Sequence, residues 1–110
     1  MSDETMIIRK TPPSFAYLFW LAGVRRGDHA TLRVEGTTMG RSGDADVVLD
    51  DPTVSEEHAR IRQEDGQWYL YDLASSNTTA VGDEPVHRHA LADRDRLTVG
   101  TTELMFRSVR

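Results

Sequence analysis

The stretch ARIRQEDGQWYLYDL, residues 59–73, decides the fold class. In ARIRQ, Ile61 stands between Arg60 and Arg62, the period of two that turns one side chain to a core and its neighbours to water. WYLYDL is rich in residues that suit a pleated strand. Asp65-Gly66 separates the two runs, and that pair tolerates the positive φ that a type I′ turn needs. The stretch therefore reads as two antiparallel strands joined by a tight turn.

The same pattern continues on both sides. FAYLFWLA (15–22) and ATLRVE (30–35) precede the hairpin, and RLTVG (96–100) and ELMFRSV (103–109) follow it, with Gly, Asp, Asn and Pro clusters between them. Gly100 is expected to turn the chain between the last two strands. No helix-length pattern survives the Gly and Pro positions, so the fold class is all-β, a sandwich or barrel. The first 14 residues, MSDETMIIRKTPPS, read as a tail and linker ending in Pro12-Pro13, ahead of one domain over 15–110.

Composition bounds the function. A chain of 110 residues, 38% hydrophobic and 28% charged, suits one globular core. It contains no Cys, which excludes a disulfide framework and a thiolate nucleophile. With no signal peptide or long apolar span, a reducing, cytoplasmic setting is expected. A net charge of -5 argues against a general nucleic-acid binder and leaves only local basic positions: Arg25-Arg26, Arg41, and Arg60 with Arg62. Neither a nucleic-acid nor a membrane partner is expected.

Three groups of residues carry potential chemistry. Ser55 stands three residues before His58, but no glycines surround it as they would a strained nucleophile elbow, so a hydrolase reading is poor. His58 reads instead as a scaffold histidine whose ring bonds backbone groups. His87 and His89 share strand spacing without further metal ligands nearby, which favours an exposed pair near a turn over a metal site. The acid pairs Asp50-Asp51, Glu56-Glu57 and Asp83-Glu84 fall at loops and read as solubilising. The third group is a set of polar loops: Gly40-Arg41-Ser42, Val54-Ser55, and Ser75-Ser76-Asn77-Thr78-Thr79. Together they offer a guanidinium, hydroxyls and amide N–H groups, the set a phosphate dianion requires. Ser and Asn at such places also make turns through bonds to their own backbone. Composition leaves these two accounts even.

The order Gly40-Arg41, then Ser55-x-x-His58-Ala59, then Asp72-x-x-Ser75-Ser76-Asn77 resembles the forkhead-associated (FHA) domain, a phosphothreonine-peptide reader, over nearly all of 15–109. The resemblance implies a β-sandwich of about eleven strands with the peptide held by loops at one end. It implies that Arg41, Ser55 and Ser76 contact the phosphate and that Asn77 holds the ligand backbone, with Gly40 and His58 as scaffold. No cofactor and no catalysis are implied. The partner would be a phosphothreonine protein, including a Ser/Thr kinase or its substrates.

Two positions depart from the family pattern. Glu56 follows the serine where a basic or polar residue is usual, and its carboxylate would cost on the order of 1 kcal/mol if held near the phosphate. Thr78 stands where the family places Gly, so a β-branched residue occupies a turn that favours positive φ, and that loop is expected to rearrange. These departures would permit a rival, an FHA-like structural domain that binds an unphosphorylated partner. The tail adds an expectation of its own: Thr5, in an acidic context with Ile8 three residues later, would be a phosphorylation site whose phosphate enters the site of the same chain or of a neighbour. The plain alternative is a leader with an incidental threonine.

Overall fold

The computed structural model describes residues 15–109. The tail reading over residues 1–14, with Thr5, lies outside them. Eleven strands form: β1 Phe15–Trp20, β2 His29–Thr31, β3 Thr37–Gly40, β4 Val47–Val48, β5 Ala59–Glu64, β6 Gln67–Asp72, β7 Thr79–Val81, β8 Glu84–Pro85, β9 Arg88–Ala90, β10 Arg96–Val99 and β11 Thr102–Val109. They build two sheets, one of six strands in the order β2-β1-β11-β10-β7-β8 and one of five in the order β4-β3-β5-β6-β9. The architecture is the all-β two-sheet sandwich that the sequence implied.

The deciding hairpin is β5–β6, paired from Ala59↔Asp72 to Glu64↔Gln67. Asp65 and Gly66 have φ of 52° and 81°, the left-handed pair that the turn demands. Ile61 is fully buried, while Arg60 and Arg62 lie on the outer face. From the other sheet, Leu18, Leu104, Phe106 and Leu97 meet Ile61, Leu70, Met39 and Trp68 to form one core. Burying one such side chain contributes about 1.5–3 kcal/mol, so the alternation fixes which face of each strand turns inward.

Two expected strands end early. ATLRVE is strand only at Ala30 and Thr31, with one more bond to β1 from the Leu32 N–H to the Ala16 carbonyl; the chain then crosses to the other sheet, where the Val34 carbonyl accepts the Gln63 N–H, and turns at Gly36 (φ 140°), whose N–H donates to the Arg33 carbonyl. FAYLFWLA stops at Trp20, where Gly23 and Gly27 take positive φ in the next loop. The short strands β3, β4, β7, β8 and β9 were not separable in the sequence, because two to four residues carry too little alternation to distinguish strand from loop. Gly100 does turn the chain between β10 and β11, with φ 62° and Val99 opposite Thr102.

Strand pairing, parallel for β3 with β4 and antiparallel for the others, brings four connections to one end of the sandwich: β3–β4, β4–β5, β6–β7 and β10–β11. These loops carry every phosphate-site residue that the sequence singled out.

Candidate functional site

The site is built on Gly40. A Cβ added there would stand 2.0 Å from the Glu56 carbonyl oxygen, so only glycine lets the β4–β5 loop lie this close to the end of β3. That approach permits the next contact, in which the Arg41 N–H donates to the Ser55 carbonyl at 3.0 Å. The Arg41 side chain then crosses the loop, its Nε donating to the Val54 carbonyl at 2.9 Å. The terminal nitrogens stay at the exposed end, with Nη1 4.0 Å from the Glu56 carboxylate.

His58 is fully buried beneath this loop. Its Nδ1 accepts the Ser55 N–H at 2.9 Å, which leaves Nε2 as the donor to the Thr78 carbonyl at 3.4 Å. One ring thus ties the β4–β5 loop to the β6–β7 loop. Both ring nitrogens are committed to backbone groups and neither bonds the Ser55 hydroxyl, so the pair is not arranged as nucleophile and base.

The Ser55 hydroxyl oxygen accepts the Ser76 N–H at 3.0 Å. Its own O–H proton therefore remains available to donate. The balance between anion binding and turn making resolves residue by residue. Ser75 is a turn maker: its N–H and hydroxyl donate to Asp72 at 3.2 and 2.5 Å, and the hydroxyl also lies against the Asn77 carbonyl. Ser42 is another, its hydroxyl accepting the Asp44 N–H at 3.1 Å. Ser76 and Asn77 are exposed at the loop tip. The Asn77 amide donates to the Thr53 carbonyl at 2.7 Å, so one of its two N–H groups braces the neighbouring loop. Its second N–H and its oxygen are left for the ligand-backbone role that the resemblance implied.

Thr78 does not take a left-handed conformation. The left-handed residue of this loop is Ala74, with φ 57°, where a single methyl group limits the steric cost.

Asp51, which the sequence presents as one of a solubilising acid pair, instead braces the loops of the candidate site. Its Oδ1 accepts the Thr53 N–H at 2.9 Å and the Thr53 hydroxyl at 2.6 Å. Its Oδ2 accepts the Thr101 and Thr102 hydroxyls, each at 2.7 Å. The Thr53 hydroxyl in turn accepts the Thr101 N–H at 2.8 Å, and Gly100 leaves the space, since a Cβ there would stand 2.5 Å from that hydroxyl. Partial burial alone would raise the Asp51 pKa, but these donations outweigh it and hold the carboxyl well below the ordinary carboxylate range. Asp72 is lowered in the same way, with burial opposing and the Ser75 and Thr79 hydroxyls prevailing. Asp-x-Thr at 51–53 is an Asx-turn signal that was available in the sequence. The partnership with Thr101 and Thr102 spans about half the chain and was not.

The histidine pair is corrected in one respect: His89 is half-buried and its Nε2 lies 3.2 Å from Asp95, rather than exposed beside His87. Among the described residues, no group of three or more His, Cys, Asp or Glu could hold a metal ion, and no helix is long and apolar enough to cross a membrane.

Known proteins share this arrangement. The family model for the FHA domain matches residues 37–100. The glycogen accumulation regulator GarA of Mycobacterium tuberculosis is 38% identical over 95 residues, covering 86% of this chain and 59% of GarA. This chain therefore spans about three-fifths of that relative's length. The oxoglutarate dehydrogenase inhibitor of Corynebacterium diphtheriae is 37% identical over 100 residues, covering 87% of this chain and 68% of the inhibitor. Among solved structures, an FHA domain analysed for phosphothreonine-dependent interactions superposes with a TM-score of 0.78 at 34% identity, covering 84% of this chain and 95% of that one. The FHA domain of FhaA, solved with the intracellular domain of Rv3910, gives 0.76 at 35% identity, with coverage of 84% and 99%. Fold, loop order and sequence agree, and the chain belongs to the FHA domain family.

Proposed function

We propose that this chain is a non-catalytic module that binds phosphothreonine in partner proteins of Ser/Thr kinase signalling through Arg41, Ser55, Ser76 and Asn77. The observation that carries the reading is the Ser55 hydroxyl. It accepts the Ser76 N–H and so has its proton left to donate, one residue along the loop from the Val54 carbonyl that the Arg41 guanidinium bonds. A guanidinium and oriented hydroxyls on braced loops are what a phosphate dianion needs. A phosphothreonine peptide bound here would also meet the free half of the Asn77 amide. The relatives named as a regulator and as an inhibitor support a regulatory role without catalysis. Oxoglutarate dehydrogenase is accordingly the first partner to assay, in a cytoplasmic setting. Matched phosphothreonine and threonine peptide libraries, titrated by fluorescence anisotropy, test the reading: binding should require the phosphate and be lost in Arg41→Ala.

The rival reading, an FHA-like domain that binds an unphosphorylated partner, draws on Glu56, whose carboxylate already faces Arg41. Phosphatase treatment of a bound partner separates the two. Release supports the phosphate reader, and retention supports the rival.

The N-terminal residues 1–14 belong to the proposal as a regulatory tail. Thr5 lies ten residues before Phe15, up to about 35 Å of extended chain, whereas the six residues of β1 span about 20 Å toward the loop end. The tail is thus longer than the stretch of β1 that it would have to run beside to approach the site in the same chain. Capture of a phosphate on Thr5 would raise a competing effective concentration and weaken outside ligands. Equal phosphopeptide affinity for the Thr5-phosphorylated chain and for a chain lacking residues 1–14 would refute the switch.

A further inference from the structure

The environment of Arg41 contains a carboxylate that phosphate recognition alone does not explain. Arg41 spends its Nε on the Val54 carbonyl, so only its terminal nitrogens are left to meet an anion. Nη1 is already 4.0 Å from Glu56, on an exposed side chain of the same loop. A phosphate arriving at Arg41 takes over that cation and leaves Glu56 unpaired beside a dianion, a repulsive arrangement. A positive charge on the ligand would reverse its sign.

The surface beside Glu56 suits such a charge. A groove of about 380 Å³ opens there, lined by Ser42, Asp44, Asp46, Glu56, Glu57 and Arg60 among others. Two of its charges are already occupied: Asp46 bonds Thr38 and pairs with Arg33, and Arg60 donates to the Glu35 carbonyl. The carboxylate next to the phosphate position is the one whose partner the ligand itself displaces.

We propose that Glu56 is a specificity-determining residue. It selects phosphothreonine ligands that carry a lysine or arginine next to the phosphothreonine, by giving that cation the carboxylate that the phosphate releases from Arg41. The assignment rests on the phosphothreonine reading above and adds to it the chemistry of the flanking residue. It also turns the departure of Glu56 from the family pattern into a preference rather than a defect.

The test is a lysine scan. One phosphothreonine in an alanine background is flanked by a single lysine at each of the three positions before and after it, and each peptide is titrated against wild type, Glu56→Gln and Glu84→Gln. Wild type should favour lysine at one or two adjacent positions by roughly two- to fivefold, the range of an exposed ion pair, and high salt should flatten the preference. Glu56→Gln should lose the preference while binding the all-alanine phosphopeptide at least as tightly as wild type. Glu84→Gln removes an equal charge from β8 and should keep the preference, which separates a local effect from the net charge of -5. A lysine preference that survives in Glu56→Gln, or a flat scan in wild type, overturns the assignment. Failure of the phosphothreonine reading looks different: wild type and Arg41→Ala would then bind phosphorylated and unphosphorylated peptides alike.

Discussion

At the scale of single residues, the proposed site is built from groups that spend one bond inward and keep another free. Ser55 accepts from Ser76 and keeps its proton, and Asn77 gives one amide hydrogen to Thr53 and keeps the other. His58 has nothing left over, because both of its ring nitrogens hold backbone groups. These roles predict opposite phenotypes. Ser55→Ala should leave thermal stability nearly unchanged and weaken phosphopeptide binding by roughly tenfold or more, since a hydrogen bond to a charged group contributes about 1.5–3 kcal/mol. His58→Ala should cost about 2–4 kcal/mol of stability by leaving the Ser55 N–H and the Thr78 carbonyl without partners around a cavity. Denaturant melts paired with peptide titrations distinguish these outcomes. Arg41, Ser55, Ser76, Asn77 and the scaffold pair Gly40 and His58 were legible in the sequence because each sits in a short motif. What turns Ser75 inward was not legible. Ser75 and Ser76 are adjacent and chemically identical, and only the position of Asp72 makes Ser75 the inward one.

At the scale of elements, the loops at the site end are stapled to one another. Asp51 and its three threonines join the β4–β5 loop to the β10–β11 turn, and His58 joins it to the β6–β7 loop. The depressed carboxyl of Asp51 makes this staple sensitive to pH, with a defined sign. Its contribution to stability is fully present above the ordinary value of 3.8 and is lost as pH falls from there toward the lowered folded-state pKa. Asp51→Asn should therefore melt well below wild type at neutral pH, and the gap should narrow as pH drops below 4; a pH-independent gap would place the role of Asp51 elsewhere. The β5–β6 hairpin was legible because its pattern and its turn agree. The staple and the shortest strands were not. Hydrogen bonds between residues about 50 apart leave no local trace, and a strand of two residues has no period.

At the scale of the whole molecule, one core under both sheets holds the four loops in place, so damage to the core should reach the site only by unfolding it. Phe106→Ala, far from any phosphate contact and 1% exposed, should cost about 3–5 kcal/mol. The fraction that remains folded should bind phosphopeptide with the wild-type affinity. The all-β class was readable at this scale because alternation and turn residues recur along the chain. The pairing order of the two sheets was not, since β1 pairs with β11 across nearly the full length of the domain.

Whether this end of the sandwich reads phosphate on threonine is answered by amide chemical shifts. A ¹⁵N-labelled domain would be titrated with a phosphothreonine peptide and, separately, with its unphosphorylated twin. The account predicts that the phosphopeptide alone produces large shifts, concentrated at Arg41, Ser55, Ser76 and Asn77. Equal shifts with both peptides, or shifts confined to the outer faces of the sheets, would contradict it.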